Sequence, residues 1–122
     1  MKTKKYNTKD SGKRVSYKSG MNRDIQEGKP RFDLIVPQDV PYDQTVLYKW
    51  AMLMERGMAK YGYRNWEKSN SKDELNRFKS SAFRHFMQWI QNISDGEDHA
   101  AAILFNVNAA EFLKDKGVKK WN

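Results

Sequence analysis

The sequence predicts an all-α protein with three main helices and an extended N-terminal segment. Three observations carry this. From Tyr42 onward apolar residues recur at three- and four-residue spacing. Gly62, the Ser94-Asp95-Gly96 link and Gly117 fall where that spacing breaks. The first twenty residues show no such pattern and hold most of the net positive charge. A chain of 122 residues is long enough for one domain around a single core.

Residues 1–20 are rich in Lys, Ser, Thr, Asn and Gly and are read as a flexible basic arm, with residues 21–122 as a single helical domain. The arm holds seven basic side chains against Asp10 alone, whereas residues 21–122 hold 16 basic and 14 acidic side chains. The formal charge of +8 therefore resides chiefly in the arm. Nucleic-acid binding is expected only through the arm, by phosphate contacts.

Residues 21–42 bring a turn signal, Gly28-Lys29-Pro30, and the apolar run Phe32-Asp33-Leu34-Ile35-Val36, stopped by Pro37 and Pro41. That run reads as strand-like or extended. The first helix, about 43–61, places Val46/Leu47, Trp50, Leu53/Met54, Met58 and Tyr61 on one face, and Gly62 ends it as a left-handed stop. The second opens with the capping box Ser71-Lys72-Asp73-Glu74 and runs an apolar stripe to Ile93. A short link then sends the third helix, about 97–116, back antiparallel. Four tryptophans and six methionines leave more apolar surface than so small a core can hide. A homo-oligomer completing a four-helix or larger bundle is expected.

Composition also excludes. With no cysteine, neither a disulfide framework nor a thiolate zinc site can form. No run approaches the ~20 apolar residues of a membrane span, and the polar N-terminus lacks a signal-peptide core, so a cytoplasmic location without membrane partners is expected.

Lys60-Tyr61-Gly62-Tyr63-Arg64-Asn65-Trp66-Glu67 is the most informative stretch. Rigid π faces alternate with donors and a carboxylate, which suits stacking on a planar ring while holding charged groups. The plainer alternative is a Tyr/Trp plug at one end of a bundle. On the second helix Ser81, His85, Gln88 and Asn92 share a face beside Arg77 and Arg84. This is either a solvated surface or a phosphate-facing edge, with Arg84 as fork donor and His85 as hydrogen-bond donor or proton carrier.

Gly96-Glu97-Asp98-His99 opens the third helix. Its carboxylates either complement the helix dipole or form a hard-cation site, since Mg²⁺ needs only one or two carboxylates plus substrate phosphates. Asn106, seven residues after His99, is an amide in an apolar run that bonds another helix or reads a base or sugar edge. Glu55, in the middle of the first helix, is a surface charge or a metal ligand from a second helix.

Several of these segments, taken in order, resemble a known family. They are Gly28-Lys29-Pro30-Arg31-Phe32-Asp33-Leu34-Ile35, then Gly57-x-Ala59-Lys60-Tyr61-Gly62-x-Arg64-Asn65-Trp66-Glu67-Lys68, then Arg84-His85, Gly96-Glu97-Asp98, and His99 with Asn106. Together they look like the phage and prophage dATP/dGTP diphosphohydrolase N-terminal domain family, related to the MazG-like all-α nucleotide pyrophosphohydrolases. The resemblance spans roughly residues 26–114, and its specific part is the Lys-Tyr-Gly-x-Arg-Asn-Trp string.

The resemblance implies an oligomeric bundle that binds purine deoxynucleoside triphosphates with Mg²⁺ or Mn²⁺ and releases pyrophosphate. By analogy Glu55, Glu97 and Asp98 hold the metal, with Glu97 and His85 catalytic. Lys60, Arg64 and Arg84 face phosphates, Tyr61, Asn65 and Trp66 shape the nucleoside pocket, and His99 and Asn106 also contact nucleotide. The elbow and the acidic start of the third helix would then converge on one cleft. Two departures stand out: Asp98 runs directly into His99 without the family's further acidic segment, and the Glu-Glu-x-x-Glu helix of MazG-like enzymes is missing. These favour an alternative, a catalytically inactive sponge that sequesters a cyclic-nucleotide or ADP-ribose-type immune signal in evading antiphage defence.

Overall fold

The computed structural model describes residues 6–118. The chain divides into two compact units, Met1–Ile35 and Val36–Asn122. The division falls fifteen residues beyond the expected end of the arm.

In the first unit, strand β1 (Arg14–Ser16) pairs antiparallel with β2 (Asn22–Asp24), Val15 standing opposite Arg23. The connecting turn closes through Tyr17 N–H to the Met21 carbonyl and Gly20 N–H to the Tyr17 carbonyl, both 2.9 Å. Arg14 forks onto Asp10 at 2.8 and 2.9 Å, and Asp24 accepts from the Ser11 hydroxyl and backbone. The three expected helices are present, and this small sheet, whose ladder straddles residue 20, is added to the all-α expectation.

Phe32–Leu34 is a 3-10 turn rather than a strand. Arg31 forks onto Asp33 two residues on, at 2.9 and 2.7 Å, which favours a tight turn. Pro30 and Pro37, on either side of the run, cannot donate to a ladder.

The second unit holds α1 (Val46–Tyr61), α2 (Lys72–Ile90) and α3 (His99–Asp115). α3 is apolar nearly all round, so it takes the middle position and packs against both α2 and α1. Its small residues Ala101, Ala102, Ala109 and Ala110 are buried and allow close approach. The core proper is Leu75, Ala110 and Leu113, with Phe78 and Val118 against it. None of the helices is long and apolar enough to cross a membrane, among the described residues.

Each helix starts on a side-chain cap, which satisfies an N–H group the helix itself cannot. Thr45 accepts from Tyr48 N–H at 3.1 Å and Asp98 from Ala101 N–H at 3.0 Å. The predicted capping box forms: Ser71 accepts from Glu74 N–H at 3.2 Å, while the Glu74 carboxylate takes the Asn70 N–H at 3.0 Å and the Ser71 hydroxyl at 2.7 Å.

The ends are set by backbone handedness. α2 stops at Ile90, before the expected 93, because Asn92 adopts φ 55°. Ile93 N–H then reaches the Gln88 carbonyl and Asn92 N–H the Trp89 carbonyl, at 3.0 and 3.1 Å. Gly117 does the same for α3, turning Val118 back onto Leu113.

Candidate functional site

The elbow begins at Gly62, which ends α1 at φ 100° and ψ 164°. That conformation is open essentially only to glycine, and it is not the left-handed helical stop the sequence predicts. The left-handed position falls instead on Arg64, at φ 53° and ψ 35°, and opens a 3-10 turn over Asn65–Lys68. Two features fasten this turn to α3. Trp66 wedges edge-on between Phe105 and Phe112, with ring centroids 6.3 and 5.1 Å away. Lys116 donates to the carbonyls of Glu67 and Ser69 at 3.1 and 2.9 Å, its ammonium 4.6 Å from the Phe112 ring centre.

A cavity of about 590 Å³ opens between this elbow, the second half of α1 and Phe105. Glu55, Lys60, Tyr61, Arg64, Asn65 and Trp66 all line it, so six of the sequence-derived candidates are brought together. Their roles diverge. Trp66 is half-buried against α3, which makes it the plug. Tyr61 is 59% exposed and leaves its ring available. The Lys60 ammonium lies 5.0 Å from the Tyr61 ring centre, and the phenol beside it raises its pKa. Arg64 sits 5.6 Å over Tyr63 and pairs with Glu67; the Tyr63 phenol first, then the Glu67 charge, raise its pKa.

The acidic start of α3 lines a different cavity, of about 570 Å³, together with Lys49 and Trp89. Glu97, Asp98 and His99 belong to it; Glu55 does not. The two cavities have no lining residue in common, so within one chain the expected single cleft is two neighbouring ones. They follow each other along α1 and α3. Lys49 and Leu53 are one helical turn apart, and His99 and Phe105 are separated by about 9 Å of helix rise.

The two histidines meet at this second end. Their Nδ1 atoms lie 2.9 Å apart, and His99 Nε2 faces the Asp95 carboxylate at 2.9 Å. Both rings are buried, at 7% and 5% exposure. Burial first, and the nearby Arg84 charge second, lower the His85 pKa below its ordinary 6.5. The Asp95 carboxyl is also held below its usual range, first by the Glu97 N–H and then by His99. Arg84 itself is exposed and lines neither cavity. Asn106 is buried, but its amide nitrogen donates to Ala102 O of its own helix at 2.8 Å. That contact uses one of its two amide hydrogens.

Asp95 and the His85–His99 contact are what sequence reasoning missed. The four-residue spacing of Asp95 and His99 was the available signal.

The family model for dATP/dGTP diphosphohydrolase, N-terminal, matches residues 19–120. The chain belongs to that family. No curated protein and no solved structure matches it. For this dATP/dGTP diphosphohydrolase-family domain, the matched region includes the elbow, the histidine pair and the acidic start of α3.

Proposed function

We propose that this phage-type domain binds a purine deoxynucleoside triphosphate along the α1–α3 seam and acts as a metal-dependent diphosphohydrolase, giving monophosphate and pyrophosphate. The observation that carries the reading is the elbow cavity, which gathers an accessible aromatic face and two cations in a domain of this family. Its volume of about 590 Å³ is in the range of small-molecule sites. Tyr61 stacks on the base, Asn65 bonds its edge, and Lys60 and Arg64 draw the phosphates towards the second cavity.

The hard-cation set implied by the family resemblance does not fit one chain. Glu55 lines the elbow cavity, and one oxygen of Asp98 is taken by the Ala101 N–H. No step is therefore assigned to Mg²⁺ held by those three carboxylates. The domain acts as a homo-oligomer: α2 exposes Phe83, Phe86 and Ile90 at three- and four-residue spacing, and a second copy of the chain covers them.

One observation favours a second reading. The aromatic–cationic cavity is built while the carboxylates lie apart, as suits a protein that sequesters a nucleotide-derived immune signal intact. Incubation with a dNTP panel and divalent cations, followed by chromatography, separates the two. Monophosphate with pyrophosphate supports hydrolysis, and intact ligand recovered only after denaturation supports sequestration. Neither turnover nor retention of any nucleotide would end both readings.

A further inference from the structure

The only two histidines in the sequence face each other through their Nδ1 atoms, at 2.9 Å. Two facing imidazole nitrogens at this distance have room for one proton between them. His99 Nε2 is committed to the ionised Asp95 carboxylate at 2.9 Å, so its proton resides there and its Nδ1 presents a lone pair. When His85 carries its single proton on Nε2 instead of Nδ1, both Nδ1 lone pairs are free to share an ion. Imidazole nitrogens about 2.05 Å from a shared ion stand about 2.9 Å apart at a right angle and about 3.3 Å apart at a tetrahedral one. The observed spacing already matches the first value. The Glu97 carboxylate completes a set of three ligand atoms within 4.8 Å of one another. Its side chain is exposed and can swing inward.

We propose that His85 Nδ1, His99 Nδ1 and the Glu97 carboxylate bind one divalent transition-metal ion of the Zn²⁺, Co²⁺ or Mn²⁺ type, with positions left open towards the 570 Å³ cavity. Asp95 is the positioning residue, its carboxylate holding the far nitrogen of a ligating histidine. Two nitrogens and one carboxylate favour borderline ions over Mg²⁺, which prefers oxygen throughout. This set shares Glu97 with the carboxylate set of the family resemblance but replaces Glu55 and Asp98 with histidines. It stands whether or not the elbow cavity takes a nucleotide.

The test is equilibrium dialysis of chelator-stripped protein against Co²⁺, Zn²⁺, Mn²⁺ and Mg²⁺, with the visible spectrum of the Co²⁺ form as a second readout. The expected result is one Co²⁺ or Zn²⁺ per chain, a nitrogen-ligated Co²⁺ spectrum and far weaker retention of Mg²⁺. Asp95→Asn lowers affinity about 10–100-fold, and Glu97→Gln and His85→Gln lower it at least as much. Circular dichroism checks that each variant is folded. If His85→Gln does not fold, the exposed Glu97→Gln decides. No stoichiometric Co²⁺ or Zn²⁺ on the folded wild type, or unchanged affinity in folded Glu97→Gln, would overturn the site.

Discussion

Replacing Trp66 with alanine separates the plug from the pocket. The Trp66 ring makes edge-on contacts with Phe105 and Phe112, at 88° and 72° between planes, and it fastens the elbow to α3. Removing a fully buried large aromatic costs roughly 3–5 kcal/mol, and each edge-on pair is worth about 0.5–1.5 kcal/mol of that class of interaction. Trp66 is only half-buried, so the lower end applies, about 3 kcal/mol. Tyr61, at 59% exposure, bounds the same cavity without packing into the core, and Tyr61→Ala is expected within about 0.5 kcal/mol of wild type. Urea unfolding monitored by circular dichroism measures both. Equal losses for the two variants, or no loss for Trp66→Ala, would refute the division of labour.

Three further outcomes follow from the structure. Gly62→Ala meets no atom within 4 Å of its new Cβ, so its cost is purely that of φ 100° and ψ 164°, about 1–3 kcal/mol in the same urea assay. Ile90→Glu, placed on the exposed α2 stripe, is expected to lower the molecular mass seen in sedimentation while leaving helix content unchanged. His85 supplies a pH dependence. Its lowered pKa means the folded state binds fewer protons there than the unfolded chain just below pH 6.5, so this stability is full above 6.5 and lost as pH falls through the folded pKa. Asp95 acts only near and below its own ordinary value of 3.8. In chelator, the urea midpoint should therefore fall more between pH 7 and 5 for wild type than for His85→Gln, and equal slopes would contradict the assignment.

The helical half of the molecule was legible because its signals are local. Three- and four-residue spacing fixed α1, α2 and α3, and the Ser71–Glu74 box fixed the start of α2. What was missed depends on partners or on a single dihedral. β1 and β2 are three-residue strands of mostly polar side chains with no alternation to read. The early end of α2 rests on Asn92 taking a left-handed conformation that glycine more often supplies. The stretch Lys60 to Trp66 was legible as either a ring-stacking surface or a Tyr/Trp plug, but which ring does the plugging was not, because the partners of Trp66, Phe105 and Phe112, come from a helix some forty residues away. Likewise the facing of His85 and His99 follows from how α2 and α3 pack, and Asn106 gives one amide hydrogen to its own helix.

Titration calorimetry of dGTP and dATP into wild type and Arg64→Ala tests the nucleotide reading most directly, with thermal melting of both proteins as the control. Arg64 is exposed and lines the elbow cavity, so its loss should weaken nucleotide binding about tenfold or more, as for a charge-assisted phosphate contact, while the melting temperature stays put. Unchanged affinity in Arg64→Ala, with wild type binding well, would contradict the placement of the nucleotide at the elbow.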